Sequence, residues 1–347
     1  MLKLRPISIA LIALGFAIIQ GRAFAQSSAV DLRRPPDWSD GRPITVEVAM
    51  HVMNITSINE VAGTFKLIAY LFAQWQDERL AFKPRYQGEK VRLLAQGSVW
   101  QPRFEFVNSV QPHQIYDSVL QVTPTGLVTY IERDSAALST EFRLRRFPFD
   151  HQTLSLFVHP FIDQAPIVVF HDDDPQTSIT AEQKLYSALP EWNIESIQAH
   201  TRMVPLKGAQ IAEVRFDITV ARRYGFYVWK VFLPLLLMVL LSWTVFWVDH
   251  RDLAVQVQIS VTTILTVIAF AFAITLSLPK VPYLTVIDGF FLTCYVFVFF
   301  TAVELTCVHV ANRHQDAGGL RIRRISRILL PLGYLGCNGL IFWWFLS

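Results

Sequence analysis

The sequence predicts a β-sandwich followed by an all-α bundle of four membrane-spanning helices. Three observations carry that expectation. At 52% hydrophobic and 17% charged residues, with a mean hydropathy of +0.34, the 347-residue chain is too apolar for a soluble enzyme of its size. Its charges are unevenly spread: residues 225–347 hold 13 Asp, Glu, Lys or Arg, while residues 26–224 hold 43. Residues 43–222 read as short alternating runs broken by Pro, Gly, Asn and Asp, whereas the remainder reads as long uncharged stretches.

The elements follow in order. Lys3 and Arg5 precede an apolar run from Ile7 to Ile19, and Ala23-Phe24-Ala25 has the small-x-small form of a cleavage site. Residues 1–25 therefore read as an export signal, with a retained anchor as the alternative. Residues 26–224 form the exterior domain. Runs such as Ile44–Val48, Phe65–Trp75, Leu127–Ile131, Leu154–Val158 and Val214–Val220, with turn signals such as Pro124-Thr125-Gly126, predict a sandwich of roughly 8 to 10 strands. Ala181–Leu189 is the one segment suited to a short helix. In the membrane domain, residues 225–347, uncharged stretches at Val231–Val248, Leu253–Pro279, Gly289–Val303 and Ile328–Ser347 are each near the ~20 residues that cross a bilayer. Glu304 interrupts the third, which otherwise continues to about Val310, and an isolated carboxylate there should face protein or water. Arg313, Arg321, Arg323, Arg324 and Arg327 give the connection between the third and fourth spans its basic excess, which places it in the cytoplasm and the sandwich outside.

Several function classes drop out. The exterior domain carries three more acidic than basic residues, which argues against a nucleic-acid partner. All three cysteines, Cys294, Cys307 and Cys337, fall in the membrane domain, so the sandwich has no disulfide and no cysteine metal site. The nine histidines are scattered and no nucleophile–base set converges, so the sequence implies no catalytic residues, no metal and no cofactor.

The second span differs from the others. It holds Gln256, Gln258, Ser260, Thr262, Thr263, Thr266, Thr275 and Ser277 without one charge between Leu253 and Pro279. Gln258, Thr262, Leu265, Ala269 and Phe272 share one helical face, polar at its cytoplasmic end and apolar at its outer end. A ring of such helices makes a pore whose apolar segment gates by dewetting. A monomeric bundle, its hydroxyls bonded to neighbouring helices, fits the same pattern.

Trp75-Gln76-Asp77, Trp100-Gln101-Pro102, Phe147-Pro148-Phe149-Asp150, Arg222-Arg223-Tyr224, Ser242-Trp243 and Leu278-Pro279-Lys280-Val281-Pro282-Tyr283 occur in that order. In this the chain resembles the pentameric ligand-gated ion channels in their bacterial form, over residues 35–347. The resemblance implies a homopentamer around a central pore in the bacterial inner membrane, its sandwich in the periplasm, surrounded by membrane lipids and conducting monovalent cations. It places Gln258 and Thr262 at the cytoplasmic constriction, Leu265 at the central apolar ring, and Ala269 and Phe272 toward the outer end, with Phe270 as the alternative lining residue. Asp249 and Asp252 lie at the pore mouth, where acidic rings favour cations. Coupling between the layers falls to Glu60, Asp150, Arg222 and Pro282, with the Arg222 fork bridging the two carboxylates.

The agonist pocket implied by the resemblance lies between subunits. Phe104, Glu105, Phe106, His159 and Phe161 would come from one side, Tyr70 and Phe72 from the other, with Arg133 nearby. His159 beside Glu105 and Arg133 implies modulation by pH. Two departures from the family matter: no cysteines close the Phe147–Asp150 turn, and Gly63 and Val267 stand where acid-gated members carry titratable groups. The agonist is thus a small molecule or protons, without the familiar acid-sensing positions. A membrane-anchored periplasmic binding or scaffolding protein is the alternative, though it does not need the polar second span.

Overall fold

A computed structural model describes residues 31–36, 43–161, 168–172, 189–206, 208–248, 253–276, 280–313 and 318–346. The expected export signal over residues 1–25 and nearly all of the short helix expected over Ala181–Leu189 lie outside these residues.

Among the described residues ten strands form two sheets: β1 Ile44–Asn59, β2 Thr64–Gln76, β3 Arg92–Leu94, β4 Phe104–Phe106, β5 Gln114–Val122, β6 Leu127–Ser139, β7 His151–Pro160, β8 Val168–Asp172, β9 Trp192–Leu206 and β10 Ala209–Arg222. The larger sheet runs β3-β5-β6-β2-β1-β8 and the smaller β4-β7-β10-β9, all antiparallel except β8 against β1. Alternation fixes which side of each strand is buried. On β2 the core side is Phe65, Leu67, Ala69, Leu71, Ala73 and Trp75, and on β10 it is Val214, Phe216, Ile218 and Val220; all belong to one buried cluster. Trp75 meets Trp100 edge-on at 5.7 Å, so two of the sequence signatures are neighbours in the core.

The third residue of Trp75-Gln76-Asp77 has a separate task. Asp77 is buried; its carboxylate accepts from Arg79 Nε at 2.9 Å and Nη2 at 2.8 Å, and its backbone N–H donates to Gly126 O at 2.9 Å. That last bond brings the β5–β6 turn so close that a Cβ on Gly126 would lie 2.6 Å from Asp77 O, and Gly126 itself has φ +85°.

Among the described residues four long helices follow: α1 Gly225–Trp247, α2 Leu253–Thr275, α3 Val286–Arg313 and α4 Gly318–Leu346. Three of them outrun the uncharged stretches read from the sequence. α1 starts six residues before Val231. α3 continues through Glu304 because that carboxylate is buried within the protein. The largest departure is α4, which begins at Gly318, so Arg321, Arg323, Arg324 and Arg327 sit on a helix and not in a connecting loop. Two of them have backbone partners. Arg323 donates to the carbonyls of Val245 and Phe246 at 2.9 Å and to that of Val248, and Arg327 donates to Phe246 O at 2.7 and 3.1 Å. These carbonyls lie at the end of α1, the negative end of its dipole, where Val245 O also accepts from Val248 N–H at 3.2 Å. Between the helices, Thr293 Oγ1 donates to Asn338 Oδ1 at 3.1 Å, and Trp243 packs edge-on against Tyr334.

Gly126→Ala is expected to lower the thermal midpoint of the solubilised protein, at a cost of about 1–3 kcal/mol, because it adds a steric clash to a left-handed backbone conformation. Thermal unfolding followed by tryptophan fluorescence checks this. An unchanged midpoint would mean that the turn and Asp77 are not held together.

Candidate functional site

The junction of sandwich and helices is built around one guanidinium. Arg222, the last residue of β10, is 5% exposed. It donates from Nε to Asp150 Oδ1 at 2.7 Å, from Nη2 to Asp150 Oδ2 at 3.2 Å, and from Nη1 to Glu60 Oε1 at 2.8 Å. Its flat face lies over Trp192 at 4.2 Å and Phe147 at 4.6 Å. Burial alone would pull the Arg222 pKa down, but the bonds and charge of Asp150, with Glu60 behind them, raise it above the ordinary value. The guanidinium is permanently charged. The structure thus brings together Glu60, Asp150 and Arg222 as the sequence reading grouped them; Pro282, the fourth of that group, points outward while its neighbours dock. Val281 and Tyr283 pack against the helical core, and Leu144 N–H donates to the Tyr283 hydroxyl at 3.1 Å.

The Phe147–Asp150 turn enters the membrane domain instead of closing on the sandwich. Phe147 stands edge-on to Tyr227 at 4.8 Å, and Phe149 lies among Tyr224, Phe232 and Phe342 at 5.1, 6.1 and 5.7 Å. Packing between the layers takes the place of a disulfide within one of them.

Helix α2 has two opposed sides. Gln256, Ser260, Thr263, Val267 and Ala271 are buried against the chain's own bundle. Gln258, Thr262, Leu265, Ala269 and Phe272, centred about 180° away at 100° per residue, are exposed, Leu265 by 60% and Phe272 by 68%. Phe270 packs against the bundle core, on the other side from Phe272. The polar residues of this span therefore divide. Gln256, Ser260 and Thr263 are buried against the bundle, but Thr263 Oγ1 donates to Ile259 O of its own helix and not to a neighbouring one, while Gln258, Thr262 and Thr266 lie on the exposed side. A cleft of 390 Å³ between α1 and α2 reaches Gln258, Thr262 and Thr266 from the flank. The acidic pair Asp249 and Asp252 lies outside the described residues.

The residues expected around a ligand fall into separate groups. Glu105 and His159 are cross-strand partners on β4 and β7. His159 Nε2 lies 2.8 Å from Glu213 Oε2, and Arg202 holds the other Glu213 oxygen, so a charge row crosses all four strands of the smaller sheet. Tyr70 and Phe72 stand on the outward side of β2, their rings 6.4 Å apart, and Tyr70 is the cross-strand partner of Arg133 on β6. Two expectations need correction. Arg133 is in the other sheet from His159 and Glu105 and lies over Tyr116 at 5.6 Å, because odd-numbered β6 residues face away from the sandwich interior. Phe106 is 7% exposed and packs in the core against His113 at 4.5 Å, since it falls on the inward side of β4. Phe161 is partly exposed, with Arg103 over its ring at 4.4 Å.

A titratable group inside the sandwich was not singled out from the sequence. Tyr130, Glu132 and Asp134 occupy the core side of β6 between Val128 and Ala136, and Glu132 and Asp134 are 3% and 2% exposed. Tyr130 donates to Glu132 Oε2 at 2.8 Å. Apart from each other, Glu132 Oε1 and both Asp134 oxygens have no hydrogen-bond partner among the described residues, and His113 Nε2 stands 4.0 Å from Asp134. Burial raises the Glu132 pKa. Burial and then the charge of Glu132 push Asp134 up to about 8. The signal was present in the β6 alternation, which puts both acids in phase with Val128, Ala136 and Leu138.

Comparison with known proteins agrees with this architecture. Residues 28–224 match a family model described as the neurotransmitter-gated ion-channel ligand binding domain, and residues 231–331 match one described as the neurotransmitter-gated ion-channel transmembrane region. The chain is 30% identical over 312 residues to a proton-gated ion channel of Gloeobacter violaceus, covering 89% of this chain and 85% of the relative. It is 26% identical over 283 residues to the gamma-aminobutyric acid receptor subunit beta-4 of Gallus gallus, covering 80% of this chain and 57% of that longer one.

Two outcomes follow from the buried charges. Arg222→Ala strands Asp150 without its cation and is expected to cost about 3–5 kcal/mol, with Arg222→Lys recovering part of the loss in thermal unfolding; equal midpoints for wild type and Arg222→Ala would refute it. For Asp134 the sign is fixed by a folded-state pKa above the unfolded one: the stabilisation is complete below pH ~4 and is lost as pH rises toward 8. Thermal midpoints measured from pH 5 to 9 should fall in wild type and fall less in Asp134→Asn. Parallel curves would mean that the pair does not titrate in this range.

Proposed function

The chain belongs to the neurotransmitter-gated ion-channel family and is a multi-pass ligand-gated ion channel, and from that premise we propose that it conducts as a homopentamer through a pore lined by α2. Residues 26–224 form its ligand-binding domain and residues 225–347 its channel domain. One observation carries the reading: the side of α2 with Gln258, Thr262, Leu265, Ala269 and Phe272 lies opposite the side that the chain's own helices bury. In lipid, exposed Gln258 and Thr262 are costly; around a common axis they meet water. The exposed Leu265 then makes an apolar ring that dries when narrow, and Phe272 forms a second one nearer the outside.

The permeant ions on this reading are monovalent cations, drawn by Asp249 and Asp252 at the mouth. The membrane is the bacterial inner membrane with the sandwich in the periplasm, which the export-signal pattern and the arginines of α4 support. Motion passes between the layers through Glu60, Asp150, Arg222 and the Pro282 link. The agonist site lies between subunits, with Glu105, His159 and Phe161 on one side and Tyr70, Phe72 and Arg133 on the other. The agonist is a small molecule or protons.

Native mass measurement and voltage-clamp recording test the proposal together. A five-fold species that passes current is expected, and Leu265→Thr should wet the apolar ring, raising leak current or lowering the stimulus for half-activation several-fold. A stable monomer, or pentamers whose activation and leak are unmoved by Leu265→Thr, would remove α2 as the pore lining.

A further inference from the structure

The end of α1 away from the sandwich is tied to two other helices through one carbonyl. At Val248 the backbone turns extended, with φ −69° and ψ 144°, so the carbonyl of this residue leaves the helical ladder and needs donors from elsewhere. It receives two. Arg323 of α4 donates to it from Nη2, and Gln256 of α2 donates to it from Nε2 at 3.2 Å; the two lone pairs of a carbonyl accommodate both. Arg323 and Gln256 are both buried. The same guanidinium holds Val245 O and Phe246 O, each at 2.9 Å, so three carbonyls fix the direction of its planar fork. Glu304, buried on α3, lies within electrostatic reach of Arg323 and balances its charge inside the bundle. α4 itself packs along α3 and is the least buried of the four helices.

Gln256 lies in the first turn of α2, which begins at Leu253. Gln256 and Gln258, two residues apart, are separated by about 200° around the helix, so the bond that draws Gln256 into the bundle also keeps Gln258 on the exposed side. We propose that Arg323 is a positioning residue for conduction: through the Val248 carbonyl it holds the first turn of α2 back toward the bundle, and so sets the width of the pore where Gln258 and Thr262 line it. The inference rests on α2 lining the pore of a homopentamer. Without Arg323 the end of α1 and the start of α2 lose their common anchor on α4, and the start of α2 relaxes toward the axis and narrows the constriction. A lysine in its place keeps the charge but brings a compact ammonium that does not span three carbonyls. Arg327 provides the comparison. It also ties α4 to α1, but among the described residues its bonds end on Phe246 O and do not reach Val248.

Two measurements on the full-length protein in lipid test this, neither of which needs an identified agonist. The first is the rate of disulfide cross-linking between subunits through Gln258→Cys, with the exposed Cys307 and Cys337 replaced by Ser. Arg323→Gln should form the cross-linked dimer several-fold faster, Arg323→Lys should fall between it and the parent, and Arg327→Gln should match the parent. The second is unitary current through channels opened by Leu265→Thr, expected to fall about twofold in Arg323→Gln and to stay unchanged in Arg327→Gln. Gln256→Leu removes the other donor to Val248 O and should act in the same direction, and it carries both measurements if Arg323→Gln fails to assemble. Because the two donors act through one carbonyl, the effect of the double variant should be smaller than the two single effects combined. Cross-linking and unitary current unmoved by Arg323→Gln and Gln256→Leu, or moved equally by Arg327→Gln, overturns the positioning role and leaves the pore reading in place. A Gln258→Cys protein that forms no cross-linked dimer in any background counts against α2 as the pore lining, and the positioning role falls with it.

Discussion

The two layers of this protein are held in register by the buried bonds of Arg222. Burying a guanidinium costs several kcal/mol before any partner is counted, and here two carboxylates from distant parts of the chain offset that cost. Glu60 comes from the β1–β2 turn and Asp150 from the turn before β7, and Arg222 closes β10 immediately before α1 begins. Asp150 is committed further, since Gln152 Nε2 donates to it and its own carbonyl accepts from Arg222 N–H at 3.2 Å. Displacing any one of these elements leaves a buried charge without its partner. The Phe147–Asp150 turn consequently sits at a fixed depth, with Phe147 and Phe149 seated in the helical core.

At the other face of the membrane the same economy recurs with backbone acceptors. Arg323 and Arg327 close the carbonyl end of α1 and tie α4 to it. With α1 fixed at its start by Arg222 and at its end by Arg323, and with Val267 and Ala271 of α2 buried in the shared core, the rotation of α2 about its axis is set by packing. The exposed side, with Gln258, Thr262, Leu265, Ala269 and Phe272 along its middle, is then a consequence of the bundle.

How much of this was legible depended on the length of the pattern. The sandwich and the four spans follow from period-two alternation and long uncharged runs, which need no knowledge of partners. Helix ends were misjudged where a charge met a buried partner: Arg321–Arg327 read as a loop because a composition window cannot see the carbonyls of α1. Arg133 was grouped with His159 because sequence motifs carry no sheet assignment; the β6 parity that turns Arg133 outward also turns Glu132 and Asp134 inward. Those acids were passed over because Asp and Glu are normally exposed, and only the third dimension places two of them behind Phe104 and His113.

The Arg222 cluster and the Glu132–Asp134 pair therefore differ in kind, and one strand connects them. At the junction each carboxylate meets a cation; inside the sandwich Glu132 and Asp134 meet a phenol, a distant imidazole and apolar walls. β6 runs from that pair to Ser139, which is the cross-strand partner of Thr64, and the next residue, Thr140, donates its N–H to Gly63 O at 2.8 Å. Gly63 belongs to the same turn as Glu60. Seven residues of extended strand, about 23 Å at the usual rise, thus join the uncompensated acids to the turn that holds Arg222. β2 pairs with this strand along its whole length to Ser139, and β5 pairs with it as far as Ser135, so a displacement at the acids is carried along the strand by its packing. Neutralising the acid pair changes the charge at one end of this strand, and the turn bonded to its other end carries Glu60, whose bond to Arg222 helps to set the seat of α1.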